Sequence, residues 1–216
     1  MIKILDVVEK TDFLVIEEAK PIEDYPTRKR VGILGGTFNP PHIGHLIIAH
    51  HAGTQLGLEK VYLMPDAEPP HVDEKPFIAA HHRKEMVERA IEGNDSLDIE
   101  TIEIERGGKS YTIDTMKELC HRNPDTDYYF IIGGDMVGYL SKWERIDELL
   151  ELVQFVGIAR PGYPQTSTYP VIWVYAPAIE VSSTQIRNMV KNNQSLRYIV
   201  PPSVEAYIKK EGLYLD

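Results

Sequence analysis

From Val31 onward, short apolar runs alternate with stretches whose apolar positions recur at helical spacing. Residues 31–34 (VGIL) form a run that stops at Gly35-Gly36, and residues 61–64 (VYLM) form a second. Further runs occupy 128–135 (YYFIIGGD), 155–159 (FVGIA) and 171–175 (VIWVY), each of strand length and rich in Val, Ile or aromatic residues. Residues 97–105 (LDIETIEIE) alternate at period two, which predicts another strand. Between these, Ile43, Leu46, Ile47, His50 and Leu56 lie near helical spacing, as do Met86, Ala90 and Ile91 within 77–91. Residues 111–120 and 143–152 predict helices, followed by one from about Ser183 and one over 202–211. The last has Pro202 just inside its start and Gly212 just past its end, positions that suit a residue without an N–H and a left-handed turn. This alternation predicts an α/β fold: a doubly wound, mostly parallel sheet with helices on both faces. In such folds ligands bind beyond the C-terminal ends of the strands, so the loops leaving those ends are expected to carry the chemistry.

The first thirty residues break this rhythm. Apolar groups such as Val7-Val8 and Leu14-Val15-Ile16 are mixed with acids, and residues 21–30 (PIEDYPTRKR) have the prolines and clustered charge of a linker. The expected division is an extension over residues 1–30 and one domain over 31–216. The extension reads either as a strand or helix added at the domain edge, or as a processed or mobile arm. Lys and Arg number 23 against 33 Asp and Glu, a net charge of −10, so no general basic field awaits a nucleic acid polymer. Any anionic ligand must be held by local cations and backbone N–H groups. A single cysteine, Cys120, excludes an intramolecular disulfide and a multi-cysteine zinc site. No apolar run approaches the roughly 18 residues of a membrane span. Asp6 and Glu9 interrupt the stretch where a signal peptide needs apolar residues. The expected location is the cytoplasm.

The loop after the first run, residues 35–45 (GGTFNPPHIGH), is the most informative stretch. Gly35 and Gly36 let a ligand approach the backbone, and Pro40-Pro41 restricts the chain before a helix start. His42 and His45, three apart, share one face of the first helical turn, with Gly44 leaving space between them. The N–H groups and positive dipole end of that helix favour an anion there, and two imidazoles supply further donors. A metal site or a packed core pair is the alternative for two histidines at this spacing. No third ligand follows at an obvious spacing, which disfavours the metal.

A second cradle lies at residues 181–187 (VSSTQIR). Ser182 and Gln185 have the form of a capping box, which marks a helix start. Ser183 and Thr184 then sit in the first turn with hydroxyls and N–H groups for an anion, and Arg187 is placed one turn on to reach back over it. The plainer reading is a capped helix with a solvated arginine. No phosphate-binding loop of the G-x-x-x-x-G-K-[ST] type occurs. Two helix N-termini without such a loop suggest a nucleoside triphosphate stretched between them.

The H-x-G-H element at 42–45 with S-S-T-x-I-R at 182–187 resembles the nucleotidyltransferase superfamily, whose members join ATP to a phosphorylated acceptor and release pyrophosphate. Other segments narrow the resemblance to the bacterial nicotinate mononucleotide adenylyltransferase family. They are GGTFNPPHIGH, MP and PPH between Met64 and His71, His82-Arg83, SYTIDT (110–115), FIIGGDM (130–136), Lys142-Trp143, RPG (160–162) and VPPSVEAYIKKEGLY (200–214). The resemblance runs in order over residues 31–214 and leaves only the extension uncovered. It implies a Rossmann-like fold and transfer of AMP from ATP to nicotinate mononucleotide in NAD biosynthesis, with Mg²⁺ bound alongside ATP. It places His42, His45 and Arg187 in catalysis. ATP would be held by these three and by Gly35, Gly36, Thr37, Phe38, Gly133, Asp135, Arg160, Ser182, Ser183 and Thr184. Nicotinate mononucleotide would be held by Thr37, Thr112, Trp143 and Glu144, with Trp143 as the stacking platform. On residue pattern alone, Trp143 reads as core on one helix face with Ile146, Leu149 and Leu150. Asp135 reads equally as a helix N-cap or as an acceptor for a ribose hydroxyl.

Two positions depart from the family pattern. Val72 stands where a lysine often follows PPH, leaving Lys75 as a substitute, and Glu144 stands where an aromatic often follows the tryptophan. The Glu144 carboxylate is expected to face solvent, its charge offset by Lys142 and Arg145. Rival readings are adenylation of nicotinamide mononucleotide or phosphopantetheine, or a nucleotide-binding regulator without turnover. The chain is compatible with a homo-oligomer. Every motif follows Val31, so a chain starting at Lys29 is expected to keep its kcat, measured by pyrophosphate release. Lost turnover in a shortened protein that is still folded would place the extension at the site.

Overall fold

A computed structural model describes residues 28–68, 78–159 and 165–215. In chain order the elements are β1 (Lys29–Gly36), α1 (Ile43–Leu56), β2 (Lys60–Pro65), α2 (Ala80–Ile91), β3 (Leu97–Ile99), α3 (Ile102–Arg106), α4 (Thr112–Arg122) and β4 (Thr126–Gly133). They continue as α5 (Gly134–Val137), a 3₁₀ turn (Leu140–Lys142), α6 (Ile146–Leu152), β5 (Val153–Ala159), β6 (Val171–Tyr175), α7 (Ser183–Lys191) and α8 (Pro202–Glu211). The six strands form one all-parallel sheet in the order β3-β2-β1-β4-β5-β6, the doubly wound arrangement that the alternation predicts. The strand order reverses between β1 and β4, so a crevice opens where their C-terminal ends diverge.

The sheet is apolar on both faces, as a parallel sheet covered by helices must be. Ile33, Phe130, Ile132 and Phe155 point to one side, where they pack with Ile113, Met116 and Leu119 of α4 and with Ile146 and Leu149 of α6. Their neighbours Leu34, Ile131, Val156 and Ile158 point to the other, against Ala49 and Ala52 of α1 and Val87 of α2. A third cluster joins α2, α7 and α8 through Met86, Ile186, Val204 and Ile208. It fixes α7 and its N-terminus against the body of the domain. Pro202 and Gly212 occupy their expected places at the start and the left-handed end of α8.

Three local expectations need correction. β1 takes in Lys29 and Arg30, and Arg28 pairs with Asp127, so the first strand begins before Val31. Residues 1–27, with the expected strand or arm, lie outside the described residues. The alternating segment 97–105 is a strand only over β3; Glu100 accepts the N–H of Ile102 and turns the chain into α3. That turn buries Glu103, whose carboxylate accepts from the Thr115 hydroxyl at 2.8 Å. The helix expected over 143–152 begins only at Ile146, because the 3₁₀ turn closes with the Trp143 N–H on Leu140 and Arg145 takes a left-handed φ of 49°. Trp143 is therefore freed from the helix face on which its spacing placed it.

Gly134 opens the short α5 against the back of β5. A Cβ added there would lie 2.6 Å from the Ile158 carbonyl oxygen, a backbone atom with no freedom to swing away. We expect Gly134→Ala to destabilise the fold by roughly 1–3 kcal/mol, the range for forced overpacking. Chemical denaturation of the variant checks this; a midpoint equal to wild type would contradict the contact.

Candidate active site

Two clefts flank the crevice between β1 and β4. The first, about 270 Å³, is lined by the ends of β1 and β4, by Asp66, by Tyr111 and Thr112 at the start of α4, and by Met136, Trp143 and Glu144. The second, about 320 Å³, is lined by His42, Gly44 and His45 at the start of α1, by residues 176–179 after β6, and by Ser182 and Ser183 at the start of α7. Both lie at the C-terminal edge of the sheet, and the stretch 35–41 runs between them.

The imidazole pair is set by the helix start. The rings of His42 and His45 stack at 3.7 Å with 26° between planes, and the Phe38 ring meets His45 edge-on at 4.9 Å. The His42 N–H donates to His45 Nδ1 at 3.1 Å. A ring nitrogen that accepts carries no proton, so the neutral His45 ring carries its proton on Nε2, as a donor. The space expected at Gly44 is partly filled by His42 itself, since a Cβ there would sit 3.0 Å from that ring. Phe38 is buried with φ of 47° and backs His45, so its ring is a support beneath the donor pair.

The second motif joins the first across 143 residues of sequence: Ser183 Oγ donates to the Pro40 carbonyl at 2.8 Å. Ser182 is the N-cap of α7, its hydroxyl accepting from the Gln185 N–H, as the capping-box pattern predicts. Arg187 reaches back to Thr184 Oγ1 at 3.1 Å and donates to the Asn39 carbonyl at 2.8 Å. The Ser183 and Thr184 hydroxyls, expected to serve an anion, are thus engaged within the protein. What α7 offers an anion is its N-terminal N–H groups and the Arg187 guanidinium.

Around the first cleft, Trp143 packs edge-on against Phe130 and Phe155, with ring centroids at 5.8 Å and 5.7 Å. It is at once a core residue and part of the cleft lining. Thr112 begins α4, whose N-cap Tyr111 makes no side-chain cap bond, so the helix start borders the cleft without a side chain capping it, although Asp114 stands in its first turn. Glu144 is exposed, as expected, but Arg145 is engaged with Asp114 and Glu148, and Lys142 lies over the Tyr139 ring. The expected offset of its charge by those two cations is not what the structure has. Gly133 is the N-cap of α5, so Asp135 is not; it sits exposed in the first turn of α5. Arg160, Val72 and Lys75 lie outside the described residues.

Several residues at this site have no role assigned from the sequence, Arg83 figuring there only within the His82-Arg83 segment of the resemblance. Arg83 has no exposed surface and pairs with Asp66 at 3.0 Å; it also donates to the carbonyls of Thr37 and Ala67. Asp66 accepts from the Thr37 hydroxyl at 2.9 Å, and burial pushes its carboxyl up although Thr37 and Arg83 hold it down. Asp66 follows directly on β2, so the strand-end rule that draws attention to Gly35 points to it too. Glu103 lines the same cleft and is likewise raised by burial. Among the described residues no group of three or more His, Cys, Asp or Glu converges to hold a metal ion.

Comparisons with known proteins agree with this geometry. The family described as cytidylyltransferase-like matches residues 33–189. A protein of Lactiplantibacillus plantarum named "probable nicotinate-nucleotide adenylyltransferase" is 63% identical over 186 residues, covering 86% of this chain and 88% of the relative. One of Enterococcus faecalis with the same name is 59% identical over 202 residues, covering 94% and 92%. The solved nicotinic acid mononucleotide adenylyltransferase of Plasmodium falciparum, in complex with NaAD, shares the fold with a TM-score of 0.73 at 18% identity. The alignment covers 86% of this chain and 97% of that one. With a matching family over most of its length and relatives this similar, the chain belongs to the cytidylyltransferase-like family and, within it, to the nicotinate-nucleotide adenylyltransferases.

Proposed function

We propose that this protein transfers AMP from ATP to nicotinate mononucleotide, giving nicotinate adenine dinucleotide and pyrophosphate, a step in NAD biosynthesis. One observation carries the reading beyond family membership. A cleft with an aromatic wall and a helix start opens beside a cleft with an imidazole pair and a second helix start, and residues 35–41 run between them. The first suits a flat ring bearing a carboxylate, with Trp143 as platform and the Thr112 N–H as donor. The second suits the nucleotide and its phosphates.

A phosphate oxygen of the mononucleotide attacks the α-phosphorus of ATP in line; the bond to the β-phosphate bridging oxygen breaks, and pyrophosphate leaves with that electron pair. No protein nucleophile and no proton transfer are needed. The protein's part is positioning and charge stabilisation. His42 and His45 donate to the phosphate oxygens, the His45 tautomer leaving Nε2–H as that ring's donor. Arg187 and the N–H groups of Ser183 and Thr184 hold the departing pyrophosphate. Gly35 and Gly36 let the two substrates meet over bare backbone beside Thr37, Gly133 does so on the β4 side, and Asp135 accepts from a ribose hydroxyl. The donors at the second cleft are imidazoles, N–H groups and a guanidinium, which suit phosphate oxygens and not a divalent cation. Mg²⁺ arriving with ATP would be held by phosphate and water oxygens and would neutralise triphosphate charge.

His45→Ala should lower kcat by roughly 10²–10³, the scale for one charge-stabilising donor, with a smaller change in ATP affinity. Steady-state pyrophosphate release checks it, and a near-normal kcat would sink the mechanism. The second prediction concerns the acceptor. Nicotinate and nicotinamide mononucleotides are nearly isosteric, so hydrogen-bond polarity must separate them. Donors at the start of α4 suit a carboxylate and leave an amide NH₂ facing an N–H, a mismatch worth on the order of 10⁴ when buried. The ratio of kcat/KM for the two acceptors decides this: parity would mean that Glu144 has altered the pocket.

A further inference from the structure

Tyr214 lies beyond α8, just past the left-handed Gly212, and lines neither cleft. Its hydroxyl nevertheless donates to Asn39 Oδ1 at 2.8 Å, across 175 residues of sequence. Asn39 is 6% exposed, and its own carbonyl accepts from Arg187 at 2.8 Å. The backbone of Tyr214 takes a φ of 66°, a conformation that a bulky residue adopts only where its surroundings hold it there. Burial pushes the Tyr214 hydroxyl far up, which keeps it a neutral donor at any working pH.

We infer that Tyr214 is a positioning residue for Arg187, acting through Asn39; this rests on the proposed function, in which Arg187 holds the departing pyrophosphate. With Oδ1 committed to Tyr214, the Asn39 side chain has one orientation, and its peptide presents the carbonyl on which the guanidinium rests. The same guanidinium is braced on its other side by Thr184 Oγ1. Loss of the Tyr214 bond lets Asn39 turn, and Arg187 loses one of the two oxygens that aim it.

Tyr214→Phe keeps the ring and removes the bond. The forward kcat should fall about fivefold, the scale of one neutral hydrogen bond, with KM for nicotinate mononucleotide unchanged. In the reverse reaction KM for pyrophosphate should rise about fivefold while KM for nicotinate adenine dinucleotide stays put. A merely structural loss would reduce the active fraction and leave every KM where it was. In an Arg187→Ala background the same substitution should have no further effect on the pyrophosphate KM, because coupled residues do not add. Asn39→Ala breaks the link from its other end and should reproduce the shift, so the test survives if Tyr214→Phe folds poorly. An unchanged pyrophosphate KM in both single variants, or an undiminished effect without Arg187, overturns the inference. A wild-type protein that cannot turn dinucleotide and pyrophosphate into ATP would overturn the proposed function, and that result is visible before any substitution is made.

Discussion

Residues 37–40 leave a central strand, turn beneath two clefts and enter a helix with hardly any hydrogen bonds of their own, so their oxygens must be satisfied from elsewhere. A buried carbonyl without a partner costs about 1–3 kcal/mol. Arg83 supplies the donor for Thr37, Arg187 for the Asn39 backbone, Tyr214 for the Asn39 side chain and Ser183 for Pro40. The donors come from α2, α7 and the segment beyond α8. Phe38 can hold a positive φ only because its neighbours on both sides are pinned in this way. The loop's shape is thus a property of the whole domain, and the imidazole pair it delivers inherits that rigidity.

This arrangement explains how a chain of net charge −10 handles anionic substrates. Among the described residues the arginines at the site are themselves anchored: Arg83 is consumed in holding Asp66 and backbone carbonyls, and Arg187 rests on two oxygens. The remaining attraction comes from the starts of α1, α4 and α7, whose N–H groups carry partial charge in fixed directions. Fixed dipoles need no reorganisation as charge moves from the α-phosphorus toward pyrophosphate.

Local sequence carried the parts of the site that are themselves local. The run of glycines, prolines and histidines over 35–45 encodes a strand end, a constrained turn and a helix start within one stretch, and Ser182 with Gln185 encodes its own cap. The doubly wound class of the sheet follows from alternation; its strand order does not. Trp143 was misplaced on a helix because its spacing to Ile146 and Leu149 fits one. The left-handed Arg145 that breaks that helix has no sequence signature, since nothing about arginine favours it. Residues 97–105 failed for a related reason: period-two alternation over a short segment is also compatible with one buried helical turn. The Arg83–Asp66 pair and the Tyr214–Asn39 bond join positions far apart in the chain, and no spacing rule reaches across such a gap.

The bond between residues 39 and 214 also bears on how the protein is made. A chain emerging from the ribosome can pair β1 with β2 once residue 65 is free, while β4 must wait until residue 133. The loop after β1 then exists, with the carbonyls of Asn39 and Pro40 still open to water, until α7 and finally Tyr214 arrive. At about 5–20 residues per second, that interval lasts several seconds. Until then the nascent domain has the centre of its sheet but neither the second cleft nor an aimed Arg187. The bond that steadies Asn39 therefore forms only after the sheet, and a chain that stopped short of Tyr214 would lack one of the supports that aim Arg187.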